Sequence, residues 1–221
     1  MKSPLKSHPV YFYGYLLFLF ISIIILLLFD KMNIHLYMND FHNSGADLFF
    51  KYSTDLGDGL TLVLVAVALL FISKRMALQV ALSGITAGAI AQVLKKVVFG
   101  PVQRPSAFFE DLGIQLYYVE GVDLHSAFSF PSGHSTAIFV LMTSLVLIQK
   151  DRKFDFLLIT LAVLIAYSRI YLSQHFLQDI FAGSIIGSCV AILVYWMVYS
   201  NKSITNKKLD SPLINFSTKS S

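Results

Sequence analysis

The chain has a single cysteine, Cys189, so no disulfide can form within it, and no Cys/His spacing matches a metal-ligand set. Charge is scarce as well: 14% of the 221 residues are Asp, Glu, Lys or Arg, against about 25% in an ordinary soluble domain. There is no internal repeat and no low-complexity segment. These absences exclude a disulfide scaffold, structural zinc, a collagen-like chain and a disordered chain. What is present is apolar. Hydrophobic residues make up 56% of the sequence, and the mean hydropathy is +0.67. A soluble fold of this size could not cover that much apolar surface, so the composition predicts an all-α integral membrane protein. The net charge of +4 sits in short Lys/Arg clusters between apolar runs, the distribution of a membrane protein rather than of a nucleic-acid-binding face.

Six runs are candidates for spanning helices: 10–29, 59–73, 76–94, 133–149, 154–173 and 177–200. The first follows Lys2 and Lys6 and is read as an uncleaved span, because it is longer than a signal-peptide core and shows no small-residue cleavage site. Residues 1–200 thus form one six-helix membrane domain, with a loop over 95–130 and a flexible cytoplasmic tail over 201–221. Two small-xxx-small pairs, Gly84/Gly88 and Gly183/Gly187, suit close helix packing. Most basic residues, among them Lys74, Arg75, Lys150, Arg152, Lys153 and the lysines of the tail, fall on the side of the termini. The positive-inside rule then puts both termini in the cytoplasm and the 95–130 loop outside, which for a bacterial chain means the inner membrane with the loop facing the periplasm.

Three groups of residues carry chemistry. His175 and Asp179 are four apart and share a helix face, so the carboxylate can accept the imidazole Nδ1–H, fix the tautomer and leave Nε2 as a nucleophile; a structural pair capping a helix has the same spacing. Ser132 precedes the fourth run and Gly133 and His134 open it, where unpaired N–H groups at a helix start attract an anion and His134 could serve as a general acid. Lys96, Arg104 and Arg169 are cations at membrane boundaries, suited to phosphate oxygens or, singly, to interfacial anchoring. No carboxylate cluster has the look of a two-metal site.

Together these motifs resemble those of the type-2 phosphatidic acid phosphatase superfamily, which also includes vanadium-dependent haloperoxidases and glucose-6-phosphatase. Ser168-Arg169 followed by His175 and Asp179 is similar to its third signature, Phe130-Pro131-Ser132-Gly133-His134-Ser135 to its second, and Lys96 with Arg104-Pro105 to its first. The first departs in spacing: the family pattern has six residues between lysine and Arg-Pro, and Lys96 leaves seven. Lys96 is the assignment from sequence, with Lys95 as the alternative.

The resemblance implies a metal-independent lipid phosphatase with no cofactor. In it His175 is the nucleophile that becomes phosphohistidine, Asp179 orients it, and His134 is the general acid and base. Lys96, Arg104, Ser132, Gly133 and Arg169 bind the phosphate. The implied substrate is a lipid phosphate or pyrophosphate such as undecaprenyl pyrophosphate, phosphatidylglycerophosphate, phosphatidic acid or lipid A. A lipid phosphotransferase and a non-catalytic lipid-binding or transport protein are the alternatives, and the oligomeric state is open.

Overall fold

The computed structural model describes residues 4–200 and 209–214, and every regular element among them is helical. After a short turn at Pro4–Ser7 come α1 (Pro9–Leu28), α2 (Lys31–Asn39), α3 (Ser44–Ser53), α4 (Gly59–Leu70), α5 (Lys74–Val93), α6 (Pro105–Asp111), α7 (Gly133–Ile148), α8 (Asp155–Tyr171) and α9 (Leu177–Ser200). The boundaries have local causes. Pro9 opens α1 at a position where a missing N–H costs nothing. Asp30, Asn43 and Asp58 cap α2, α3 and α4 by accepting N–H groups from Asn33, Ala46 and Leu60.

Four helical segments are long and apolar enough to cross a membrane: Pro9–Leu28, Lys74–Val98, Arg152–Tyr171 and Leu177–Ser200. The protein is therefore a multi-pass membrane protein. The run at 59–73 behaves differently from the expectation. Its helix, α4, has 12 residues and rises about 18 Å, short of the roughly 30 Å hydrocarbon core. It reaches membrane length only together with Ser44–Gly57, bent from it by 58°. The break falls where Asp58 stops one helix and caps the next. With 16 residues, α7 is also shorter than a full span.

The short helix α7 is the centre of the bundle: 12 of its 16 residues are buried, and α5, α8 and α9 surround it. Gly183 and Gly187 let α9 lie directly on it, since a Cβ at either position would sit 2.6 or 2.5 Å from the carbonyl oxygen of Ser132 or Thr136. Gly84 and Gly88 do not form a second seam of this kind. A Cβ at Gly88 would meet nothing within 4 Å, and both glycines border a cavity. Buried polar side chains tie the helices together in mid-bundle: Gln79 donates to Ser83, Ser144 and the Ala191 carbonyl, and Tyr11 pairs with Thr143.

The two ends of the bundle differ. At one end His8 meets Asp155 (2.9 Å), Arg75 lies over Tyr199, and the tight α4–α5 and α7–α8 turns carry Lys74, Arg75, Lys150, Arg152 and Lys153. Part of the segment expected to be a flexible tail is ordered here: residues 209–214 pack on the α4–α5 turn, while 201–208 and 215–221 lie outside the described residues. The other end gathers residues 54–58, 95–104, 129–134 and 169–179. Above it the 95–130 loop folds onto α2 and Phe176 through Phe109 and Leu116. The α-helix within it, α6, has 7 residues, and its Phe109 is buried in this small core.

Candidate active site

The third motif occupies the turn between α8 and α9. The N–H groups of Gln174 and His175 both donate to the Arg169 carbonyl, at 2.9 and 3.0 Å, which folds the chain back so that His175 precedes α9. Asp179 lies one turn into that helix. Its Oδ2 accepts the Ser129 hydroxyl at 2.5 Å and the Phe176 N–H at 2.9 Å, and lies 3.3 Å from His175 Nδ1. Ser129 Oγ is also 3.4 Å from His175 Nδ1. The carboxylate thus holds the imidazole by Nδ1 and leaves Nε2 without a hydrogen bond among the described residues. Burial first, then the charges of Arg104, Arg169 and Lys95, hold His175 well below the usual histidine value, so its ring is neutral near pH 7.

The second motif is joined to the third by backbone. The Ser132 N–H donates to the Asp179 carbonyl at 3.0 Å, locking the start of α7 to α9. This donor is therefore engaged within the protein and is not offered to a phosphate. The Ser132 hydroxyl is the α7 cap, accepting from the Ser135 N–H at 3.3 Å and lying 3.0 Å from the Ser135 hydroxyl. The first-turn N–H groups of Gly133 and His134 are the ones left over at this helix start. His134 lines a cavity of about 480 Å³ together with Arg169, Thr54, Gln174, Asp55 and Asp58. It also borders a second cavity, described below.

The cations come from three elements. Arg169 is buried; it donates to the Thr54 hydroxyl at 2.7 Å, and its Nε has no partner. Arg104 is buried too and donates to the carbonyls of Ala127 (2.9 Å) and Gln174 (3.2 Å) and to the Gln174 side chain (3.2 Å). The third cation differs from the sequence assignment. Lys96 is exposed, whereas Lys95 is buried and lies close enough to Arg104, Asp179 and Arg169 to share their electrostatics. The cause is a π turn over Leu94–Val98, in which the Phe99 N–H reaches back to the Leu94 carbonyl at 2.9 Å. With Lys95 in this place eight residues separate it from Arg104, two more than in the family pattern; the π turn takes in one of them, and the chain then turns at Gly100, which adopts φ +69.

Three supporting side chains stand outside any sequence motif named above. Ser129 braces the His–Asp pair, Thr54 holds Arg169, and Gln174 holds Arg104 while donating to the Asp123 carbonyl at 2.9 Å. Thr54 and Arg169 are 115 residues apart, and no local pattern marks them as partners. Among the described residues no group of three or more His, Cys, Asp or Glu side chains is placed to hold a metal ion.

The chain is 32% identical over 104 residues to an Escherichia coli (strain K12) protein whose name proposes an undecaprenyl-diphosphatase; the match covers 46% of this chain and 48% of that protein. It is 35% identical over 78 residues to phosphatidylglycerophosphatase B of Bacillus subtilis (strain 168), covering 31% of this chain and 38% of that one. The matches thus span about half or less of the length of these curated relatives. Its fold is similar to the crystal structure of Aquifex aeolicus LpxE, with a TM-score of 0.64 and 26% identity over 74% of this chain and 93% of that one. The family model described as the PAP2 superfamily matches residues 76–203, a stretch that runs through Lys95, Arg104, His134, Arg169, His175 and Asp179, and the chain belongs to that superfamily.

Proposed function

We infer that the protein is a membrane lipid phosphatase that releases the terminal phosphate of a lipid phosphate or pyrophosphate through a phosphohistidine at His175. One observation carries this reading. Lys95, Arg104 and Arg169 surround a neutral imidazole, and none of them forms an ion pair with a carboxylate among the described residues. Asp179, the buried carboxylate beside them, is occupied with Ser129, Phe176 and His175, and Asp55 and Asp58, which line a cavity with Arg169, are exposed and form no ion pair with it. Buried cations without anions are costly unless a ligand supplies the charge, and a phosphate monoester brings about −1.5 to −2 near pH 7.

The chemistry follows from the placement. His175 Nε2 attacks phosphorus as the bond from phosphorus to the lipid oxygen breaks, and His134, which takes up a proton once the phosphate dianion offsets the charges of Arg169 and Arg104, gives that oxygen its proton. Asp179 stabilises the imidazolium through Nδ1. A water then gives a proton to His134 and attacks phosphorus; the P–N bond breaks, and free phosphate and neutral His175 remain. Lys95, Arg104, Arg169 and the α7 N-terminus at Gly133 bind the non-bridging oxygens, with the Ser132 hydroxyl beside them. The names of the two curated relatives support a lipid phosphate or pyrophosphate as substrate, with undecaprenyl pyrophosphate and phosphatidylglycerophosphate first among the candidates.

The test is phosphate release by pure protein in detergent from a panel of lipid phosphates. Release is expected to persist in excess EDTA, because the three cations supply the neutralisation that a metal would otherwise give. Complete loss in EDTA, restored by Mg²⁺, would overturn this mechanism.

The same reading places the site on the outer face of a bacterial inner membrane, with both termini in the cytoplasm. It is supported by Lys74, Arg75, Lys150, Arg152 and Lys153, all at the end opposite His175. With Cys189 replaced by serine, Gln115→Cys is expected to react with an impermeant thiol reagent on intact cells, and Lys153→Cys only after lysis. Both positions are exposed. The opposite labelling pattern would put the site on the cytoplasmic face.

A further inference from the structure

The phosphate site does not use two adjoining cavities on the flank of the bundle. The smaller, about 210 Å³, runs from His134 between α4, α5 and α7, where Gly57, Gly88 and Ala137 leave room. The larger, about 700 Å³, continues along the seam between α4 and α5. Gly59, Leu62 and Gly84 border both, so the two adjoin end to end, with the Leu62 side chain against Gly84 where they meet. The walls of this groove are apolar over nearly the whole length (Val63, Ala66, Val67, Leu78 and Ala81 among them), and Lys74 at the far end is the only charged residue bordering the larger part. From Gly88 to Lys74, α5 covers about 21 Å. That is more than half of the roughly 30 Å hydrocarbon core.

The far end is closed by the chain itself. The Leu213 N–H donates to the Leu70 carbonyl at 2.8 Å, and the Lys74 N–H donates to the Ser211 carbonyl at 3.3 Å. The Ser73 hydroxyl donates to the Leu209 carbonyl at 3.3 Å, and Arg75 pairs with Asp210 at 2.9 Å. Residues 209–214 thus satisfy backbone groups that the end of α4 and the start of α5 leave unpaired. That fixes the register of the segment, and the register puts Leu209 and Leu213 at the end of the groove.

We propose that this groove holds the hydrocarbon chain of the lipid whose phosphate lies at His175, and that Leu209 and Leu213 form its stop and set the longest chain accepted. The proposal rests on the lipid-phosphatase reading for its occupant and goes beyond it in assigning chain-length selection to a strap far from the chemistry. For an alkyl phosphate supplied from water below its micelle concentration, each methylene that fits the groove gains apolar burial, about fourfold in kcat/KM for each one added. One that meets the stop gains none.

The experiment uses the full chain and a ladder of linear alkyl monophosphates from shorter to longer than the groove. Phosphate release gives kcat/KM for each, and native mass spectrometry of His175→Ala protein gives retention of each without turnover. The expected wild-type profile rises with length and then stops rising. Leu209→Ala with Leu213→Ala moves that limit to longer chains, and Leu213→Trp moves it to shorter ones. Asp210→Ala, which frees the strap, blurs the limit, and the shortest members keep their wild-type rate throughout. Leu213→Met, which keeps the bulk, restores the wild-type limit.

A strap that only caps the helices would lower thermal stability and leave the length profile in place. Superimposable profiles in the alanine pair and Leu213→Trp, in release or in retention, overturn the proposal. A shifting retention limit with no release from any member would overturn the phosphatase reading and leave the groove and its stop standing.

Discussion

Replacing His175 with alanine is expected to lower phosphate release by about 10⁴-fold or more, the loss seen when a nucleophile that acts as one unit with its partners is removed. The reasoning is geometric. Nδ1 of the ring faces Asp179 and Ser129, so the free nitrogen is Nε2, and the depressed basicity keeps that lone pair available at neutral pH. Asp179→Asn leaves the ring in place but cannot accept Nδ1–H in the same way, and a loss of about 10²- to 10⁴-fold is expected. Rapid quenching with radiolabelled lipid phosphate should trap label on the wild-type protein and none on His175→Ala. Retention of activity within tenfold in His175→Ala, or of label on it, would remove this residue from the nucleophile role.

Lys95→Ala is expected to lower kcat by about 10²- to 10³-fold, while Lys96→Ala stays near wild type. The two lysines are adjacent in sequence, and their environments differ completely. Lys95 is buried beside Arg104, Arg169 and Asp179, and Lys96 faces outward. A charge-assisted contact to a phosphate oxygen matters most as charge redistributes in the transition state, so the loss should fall on kcat more than on KM. Steady-state kinetics of both variants decides between them. A severe Lys96→Ala defect beside a mild Lys95→Ala one would mean that the π turn over Leu94–Val98 does not set the register of the working enzyme.

That lysine marks where sequence reasoning stopped. The spacing rule treats the residues before Arg104 as a regular helix followed by a turn, and by that rule Lys96 is nearer to the expected position. Whether the helix widens by a residue at 94–98 depends on how α5 meets the loop packed above it, which no local pattern encodes. The second run differs from the expected straight span for a similar reason. Hydropathy sees the apolar run after Asp58 but not that its helix has only 12 residues and bends 58° away from the preceding one. Gly84 and Gly88 match the same small-residue pattern as Gly183 and Gly187, yet only the second pair meets a neighbouring backbone. Ser129, Thr54 and Gln174 carry no motif, because each acts on a partner brought near by folding. Residues 209–214 read as a polar tail, since their role comes from the unpaired backbone groups of α4 and α5.

What the sequence determined by itself is whatever depends on short range. Apolar runs of membrane length set the helices, because hydrocarbon leaves a backbone no other way to satisfy its polar groups. Helix-start chemistry at Ser132–His134 and the four-residue spacing of His175 and Asp179 followed from helix geometry alone. The tertiary structure decided which cations converge, which donors are already engaged, as with the Ser132 N–H, and where an apolar groove runs from His134 to the strap. These are long-range questions. A charge becomes part of a site only when burial removes water and leaves it without a carboxylate, and burial is a property of the assembled helices rather than of any stretch of chain.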